Sequence, residues 1–125
     1  MGLTHAEIIV ENSFNQRRLQ ARARVDTGAV YLTITDGMAR ELGFDITEVG
    51  ERVILLADGT RRTVPMVGPI RLRYAHRFCD VSALVFGEEA LMGVVPLEMM
   101  DLVVHPVSKE LTVNPASPDL PSARA

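Results

Sequence analysis

The stretch Asp26-Thr27-Gly28-Ala29 places an acidic side chain, a hydroxyl group and a glycine in consecutive positions. This combination suits a sharp loop that presents a carboxylate while the backbone packs closely behind it. A carboxylate presented in this way can act as a general base, so we take Asp26 as the candidate catalytic residue. An ordinary turn at the end of a strand is the alternative, because such a short pattern recurs often by chance.

Two carboxylates that lie close together and hold one proton between them can act as a base and as an acid at the same site. The ionised partner activates a water molecule, while the protonated partner polarises a carbonyl group. The other aspartates are at positions 36, 45, 58, 80, 101 and 119, and none is followed by Thr-Gly or Ser-Gly. We therefore expect the second carboxylate to be Asp26 of another copy, which predicts a homodimer with a two-fold axis through the site.

The run before this loop alternates between apolar and polar side chains, which predicts a half-buried antiparallel strand with a charged outer face. The arginines of that face are interpreted as solvated, and steering of a substrate is the alternative. The apolar face consists of Leu19, Ala21, Ala23 and Val25, and the opposite face of Arg18, Gln20, Arg22 and Arg24.

The remaining elements are predicted to be short strands with turn signals about every ten residues. Asp58-Gly59 lies between two β-prone runs and predicts a hairpin. Pro65, Gly68 and Pro69 indicate an edge strand or a bulge, and a last hairpin is expected over 102–113. With only two helical segments, near 38–42 and from Pro96, this pattern predicts an all-β barrel or sandwich.

The composition favours a single globular domain. Hydrophobic residues make up 47% of the chain, and the formal net charge of -3 argues against a nucleic-acid-binding protein. We expect a domain over residues 1–113 and a flexible C-terminal tail over residues 114–125, where prolines occur without periodicity. Neither a secretory leader nor an apolar run long enough to cross a bilayer is recognisable, so a cytoplasmic location without a membrane partner is expected.

Other residues with chemical potential have simpler interpretations. His5, His76 and His105 do not share the spacing of metal ligands, and we expect no metal and no cofactor. Cys79, the only cysteine, is interpreted as a buried structural thiol. Met92, Met99 and Met100 are interpreted as core residues, with a dimer contact as the alternative.

The ordered set of features over residues 4–113 resembles the retropepsin-like aspartic proteases, the single-domain branch that includes the retroviral proteases. The resemblance is carried by a hairpin leading into the Asp26 loop, a glycine-tipped hairpin at Asp58-Gly59 and two alternating strands. An apolar-apolar-glycine run, Leu91-Met92-Gly93, and a short helix then follow. Val30, Tyr31 and Val94 stand where retroviral enzymes carry an ion-pair network, so the chain looks like a cellular, prokaryotic-type relative.

This resemblance implies a small closed barrel with one or two short helices, acting as a homodimer on an extended peptide. Asp26 would be the catalytic carboxylate, Thr27 would lock the two active-site loops together, and Gly28 and Ala29 would complete the loop. The hairpin residues Ala57, Asp58, Gly59 and Thr60 would cover the peptide, while Leu91, Met92 and Gly93 would support the loop from beneath. The rival hypothesis is a catalytically inactive peptide-binding or dimerisation module with the same fold.

Overall fold

Strands form most of the secondary structure of this protein, as the sequence pattern predicts. The computed structural model describes residues 3–125, and within them the chain forms nine strands and two short helices. In chain order these are β1 His5–Asn12, β2 Arg18–Val25, β3 Leu32–Ile34, α1 Asp36–Glu41, β4 Glu51–Leu55, β5 Arg61–Tyr74, β6 Arg77–Val85, β7 Ala90–Met92, α2 Val94–Met99, β8 Leu102–His105 and β9 Glu110–Val113. The predicted all-β class is confirmed.

Six of the strands close into a barrel in the order β1-β2-β7-β3-β6-β5, with β5 pairing back onto β1. Closure pairs the strand edges that an open sheet would leave free. The barrel predicted by the resemblance is therefore confirmed, and the sandwich alternative is wrong. Outside the barrel, β4 pairs with β5, and β8 pairs with β9 in a separate two-stranded sheet.

The alternating pattern of the first hairpin determines which side chains face the barrel interior. Ala6, Ile8 and Val10 of β1 are buried, and Ala23 of β2 is fully buried. Period-two alternation places these side chains on one face of each strand. Further fully buried side chains come from the other elements and complete one continuous core: Leu32, Ile34, Leu42, Ile70, Leu72, Met92 and Met100.

Strand β5 passes through the segment where prolines and a glycine predict an irregularity. The pairing of β5 with β6 shifts register between Val67 and Ile70, so the predicted bulge is confirmed. The edge-strand alternative is wrong, because β5 has pairing partners in β4, β6 and β1.

The first N–H groups of each helix have no acceptor within the helix and are bonded by other groups. At α1 the hydroxyl of Thr35 accepts a 3.1 Å hydrogen bond from the Met38 N–H, which confirms one of the two predicted caps. Helix α2 begins at Val94, two residues earlier than the predicted start at Pro96. This earlier start has a structural cause at the Asp26 loop, whose carbonyl groups accept the first N–H groups of α2.

The methionine and cysteine predictions are confirmed at most positions. Met92 and Met100 are fully buried, but Met99 is 47% exposed, so its assignment to the core is wrong. Cys79 is buried, as predicted. Asn114, Ser117 and Ser122 of the tail hydrogen-bond to the Asp101 carboxylate, while the flexibility of the tail stays a prediction. Within residues 3–125, no helix is long and apolar enough to span a membrane.

Candidate active site

The Asp26 loop lies at an edge of the barrel where two parallel strands end together. Strands β2 and β7 are parallel neighbours, with Val25 opposite Met92. The chain leaves β2 at Asp26, whose N–H donates a 3.0 Å hydrogen bond to the Met92 carbonyl. This pairing places the predicted loop directly beside the predicted supporting run, although more than sixty residues separate them in the sequence.

Within the loop, one carboxylate oxygen of Asp26 is held by the backbone. The Gly28 N–H donates a 2.8 Å hydrogen bond to Asp26 Oδ1, and the Ala29 N–H bonds the Asp26 carbonyl at 3.2 Å. A Cβ atom at Gly28 would lie only 3.2 Å from Oδ1, so glycine allows the close approach. The side chain remains 40% exposed, and Oδ2 is directed away from this backbone contact.

Gly93 packs against the back of the loop, where a larger residue would not fit. A Cβ atom there would lie 2.7 Å from both the Ala29 oxygen and the Val30 carbonyl carbon. The first residues of α2 then hold the loop: the Val94 N–H bonds Ala29 O at 2.9 Å, and the Val95 N–H bonds Val30 O at 2.8 Å. These two bonds use N–H groups that have no acceptor within a helix.

The three residues predicted as support lie in two different environments. Met92 is fully buried and Gly93 is buried, so both are beneath the loop. Leu91 is half-buried and lines the groove in front of it. The run therefore contributes both to the packing under Asp26 and to the wall of the site.

A groove of about 840 Å³ extends across the loop and contains Asp26 on its surface. Its lining includes Asp26 and residues 28–31, which we call the floor, and residues 52–57 of the β4 hairpin, which we call the wall. Residues 86–89, between β6 and β7, close one side together with Arg24. The volume lies within the range of roughly 300–1,000 Å³ that is usual for ligand sites.

The tip of the β4–β5 hairpin is a tight turn with its own polar contacts. Gly59 has a φ of 86° and donates a 3.0 Å hydrogen bond to Leu56 O, while the Leu56 N–H bonds Thr60 O at 2.8 Å. The Asp58 carboxylate accepts from the Thr60 hydroxyl at 2.6 Å and its N–H at 2.9 Å, and these bonds lower the pKa of Asp58. This is a three-residue loop with glycine in the left-handed conformation.

Not all residues predicted for the flap and the loop line the groove in a single chain. Ala57 does so, whereas Asp58, Gly59 and Thr60 form the turn beyond it. Thr27 is exposed and is outside the groove lining, so its predicted role against a second copy stays a prediction.

The arginines before the loop do not share one environment. Arg18 and Arg22 are exposed to solvent, as predicted, but Arg24 lines the groove with 35% of its side chain exposed. Its Nη2 atom is 4.0 Å from Asp26 Oδ2, and its Nη1 atom is 3.4 Å from Glu89 Oε1. The solvated interpretation is wrong for Arg24, because a side chain two positions before the loop projects to the same side as Asp26.

A second polar contact joins the floor of the groove to its wall. Arg52 Nη1 donates a 2.8 Å hydrogen bond to the Tyr31 hydroxyl, and the guanidinium carbon is 5.2 Å from the Tyr31 ring centroid. The sequence pattern did not predict this contact, because the two residues are 21 positions apart along the chain. Their contact forms only when the hairpin folds over the loop.

The histidines and the cysteine lie outside this constellation. Over residues 3–125, no three His, Cys, Asp or Glu side chains group as metal ligands. Burial raises the pKa of the Cys79 thiol to about 12, which keeps it protonated and a poor nucleophile.

Comparison with known proteins gives no family assignment. No protein-family model matches the chain, and no curated protein matches it.

Proposed function

We propose that this chain is one subunit of a homodimeric, retropepsin-like aspartic endopeptidase. The observation that carries the proposal is that Asp26 lines an apolar groove together with residues of the β4–β5 hairpin. One carboxylate oxygen is held by the Gly28 N–H, and the side chain stays accessible to a ligand. Such a preorganised carboxylate in a cleft is the arrangement that acid–base chemistry requires.

In the proposed reaction, two Asp26 carboxylates from two subunits share one proton. The ionised carboxylate takes a proton from water as the water oxygen attacks the peptide carbonyl carbon, and the protonated partner donates its proton to the carbonyl oxygen. Proton transfer to the peptide nitrogen then breaks the carbon–nitrogen bond and releases the amine.

The β4 strand supports an extended peptide as the substrate. Within residues 3–125, β4 is the terminal strand of its sheet and pairs only with β5, which leaves its other edge unpaired. The same segment, residues 52–57, lines the groove. An unpaired strand edge can bind an extended peptide through main-chain hydrogen bonds, while apolar pockets select side chains.

The second candidate is a binding or dimerisation module that has the same fold and no turnover. It is favoured by the contact between Asp26 and Arg24, because an ion pair at 4.0 Å is also a structural use for the carboxylate.

A cytoplasmic location belongs to the main proposal and is supported by the single buried thiol of Cys79.

The decisive test is the isosteric change Asp26→Asn, assayed on a proteome-derived peptide mixture between about pH 4 and pH 7 with mass spectrometry of the products. The expected result is a loss of cleavage of at least about a hundredfold, with unchanged circular dichroism and dimer mass. Asp36→Asn, on the exposed surface of α1, is the matched control and should cleave normally. Undiminished cleavage by Asp26→Asn excludes the proposal, and no cleavage by the unaltered protein supports the binding module.

Mixed dimers test the shared site separately. When equal amounts of unaltered protein and Asp26→Asn exchange subunits, about a quarter of the dimers keep two carboxylates. Activity per total protein should therefore fall to about a quarter of that of the unaltered protein. A fall to about half would show that each subunit acts alone.

A further inference from the structure

Arg24 is the charged residue that borders both Asp26 and the open groove. Its guanidinium is within 4.0 Å of Asp26 Oδ2, and its side chain is among those that line the groove. A peptide whose carbonyl group reaches Asp26 therefore lies in the part of the groove that Arg24 also lines. The arginine is therefore positioned to contact the substrate beside the bond that is cut.

The N–H groups of Arg24 are only loosely engaged by the protein. Its contacts with Glu89 at 3.4 Å and with Asp26 at 4.0 Å are longer than charge-assisted hydrogen bonds, which are about 2.7–2.9 Å. A guanidinium carries five N–H donors in a planar fork that matches a carboxylate. A ligand carboxylate can therefore form the short bidentate pair that neither Glu89 nor Asp26 forms.

The surroundings strengthen such a pair once a peptide is bound. Val30, Leu55 and Leu91 give the groove apolar walls around the charged residues. A peptide that fills the groove displaces water, and charge attraction increases as the effective dielectric constant falls. In the free protein the Arg24–Glu89 pair is partly exposed to water, and the high dielectric constant of water keeps this pair weak.

We propose that Arg24 is a specificity-determining residue that binds the carboxylate of an acidic substrate side chain next to the scissile peptide bond. This inference rests on the proposed function. Because two subunits contribute to the site, each side of the scissile bond meets one Arg24. Glu89 competes with the substrate for Arg24, so its removal increases the preference for acidic side chains.

The competing hypothesis is that the site prefers basic substrate side chains. Glu88 and Glu89 also line the groove, and they would attract a basic side chain if they, and not Arg24, governed recognition. In that case Glu89→Gln reduces cleavage beside lysine and arginine, and Arg24→Gln increases it. Because each variant shifts selectivity in the same direction under both hypotheses, the unaltered protein separates them: acidic side chains are enriched beside the cut if Arg24 governs recognition, and basic ones if Glu88 and Glu89 do.

The cleavage experiment identifies the residues on both sides of every cut in a proteome-derived peptide mixture. The unaltered protein should show Asp and Glu enriched about threefold to fivefold beside the cut, the size expected for one partly exposed ion pair. Arg24→Gln should lose this enrichment, Glu89→Gln should increase it, and Arg22→Gln, at a solvated position of the same strand, should keep it. Cleavage without charge preference, or with a basic preference, overturns the inference and leaves the proposed protease in place.

A binding experiment is independent of turnover. Fluorescence anisotropy compares the labelled peptide (Ala-Val-Glu-Leu)3 with (Ala-Val-Gln-Leu)3 on the Asp26→Asn protein. The glutamate peptide should bind about threefold to fivefold more tightly, and the difference should vanish when Arg24→Gln is added. This result sustains the binding of acidic side chains by Arg24 even if the unaltered protein cleaves nothing, whereas equal affinities or no binding of either peptide overturn it.

Discussion

Gly93 lies directly behind Ala29, and a methyl group at Gly93 would stand 2.7 Å from the Ala29 carbonyl oxygen. That carbonyl also accepts the Val94 N–H at 2.9 Å, so the start of α2 and the Asp26 loop form one packed unit. The atoms of Ala29 and Val94 in this unit are backbone atoms, which cannot rotate away as a side chain could, so the unit has little room to adjust.

The change Gly93→Ala should therefore displace the Asp26 loop. We expect the free energy of unfolding to fall by about 1–3 kcal/mol, as for other overpacked positions, with a loss of peptide cleavage beyond the loss of folded protein. Urea denaturation and product mass spectrometry measure the two effects. Gly50→Ala is the matched control, since a Cβ atom there meets nothing within 4 Å, and equal stability of the two variants would contradict the packing argument.

Substitution of Gly59 tests the effect of backbone conformation at the hairpin tip, because an added side chain would contact no neighbouring atom there. Its φ of 86° lies in the left-handed region, and a Cβ atom there meets nothing within 4 Å. Gly59→Ala should lower the free energy of unfolding by about 1–2 kcal/mol through backbone strain alone. Gly59→Asn should lower it less, because asparagine adopts this conformation more readily. Thermal denaturation of the three proteins checks the order, and an alanine variant as stable as the parent would exclude strain.

The Cys79 thiol should make the protein less stable in alkali. Burial raises its pKa from 9.0 to about 12, so above pH 9 the unfolded chain loses a proton that the folded chain keeps. Stability contributed by this group is thus full below pH 9 and falls by about 1–2 kcal/mol by about pH 10.5. Urea denaturation should show a flatter pH dependence for Cys79→Ala. The native thiol should also react slowly with thiol reagents at neutral pH, and rapid labelling without unfolding would contradict its burial.

The Asp101 carboxylate should hold the C-terminal segment in a pH-dependent manner. It accepts hydrogen bonds from the Ser117 hydroxyl, the Ser122 N–H at 3.0 Å and the Asn114 amide at 3.2 Å, which keep the pKa of Asp101 below its usual value of 3.8. A lowered pKa means that these bonds are fully formed above pH 3.8 and are lost as acid protonates the folded form.

Asp101→Asn should therefore increase amide hydrogen exchange in residues 114–122 at neutral pH. The difference from the unaltered protein should shrink as the pH falls below 3.8. Asp119→Asn, an exposed position in the same segment, is the matched control and should exchange like the parent. Identical exchange of Asp101→Asn and the parent at neutral pH would show that the carboxylate does not hold the segment.

Local features of the fold could be predicted because they depend on neighbouring residues. The period-two pattern of β1 and β2 identifies the strands and their buried face, since alternate side chains point to opposite sides of a sheet. Asp58-Gly59 indicates the hairpin because glycine adopts the left-handed conformation that the turn requires. Asp26-Thr27-Gly28 likewise indicates a loop that presents its carboxylate, and the Gly28 N–H bond to Oδ1 agrees with it.

The tertiary structure alone decided which distant residues join Asp26. Pairing of β2 with β7 brings Gly93 beneath the loop and Glu89 beside Arg24, and a hydrogen bond joins Arg52 of β4 to Tyr31. Such contacts depend on the register between strands far apart in sequence, and residue types alone do not specify that register. The amino-acid sequence thus identified the candidate carboxylate and, through alternation, the arginine on the same side of the strand, whereas only the folded barrel brought Glu89 to that arginine.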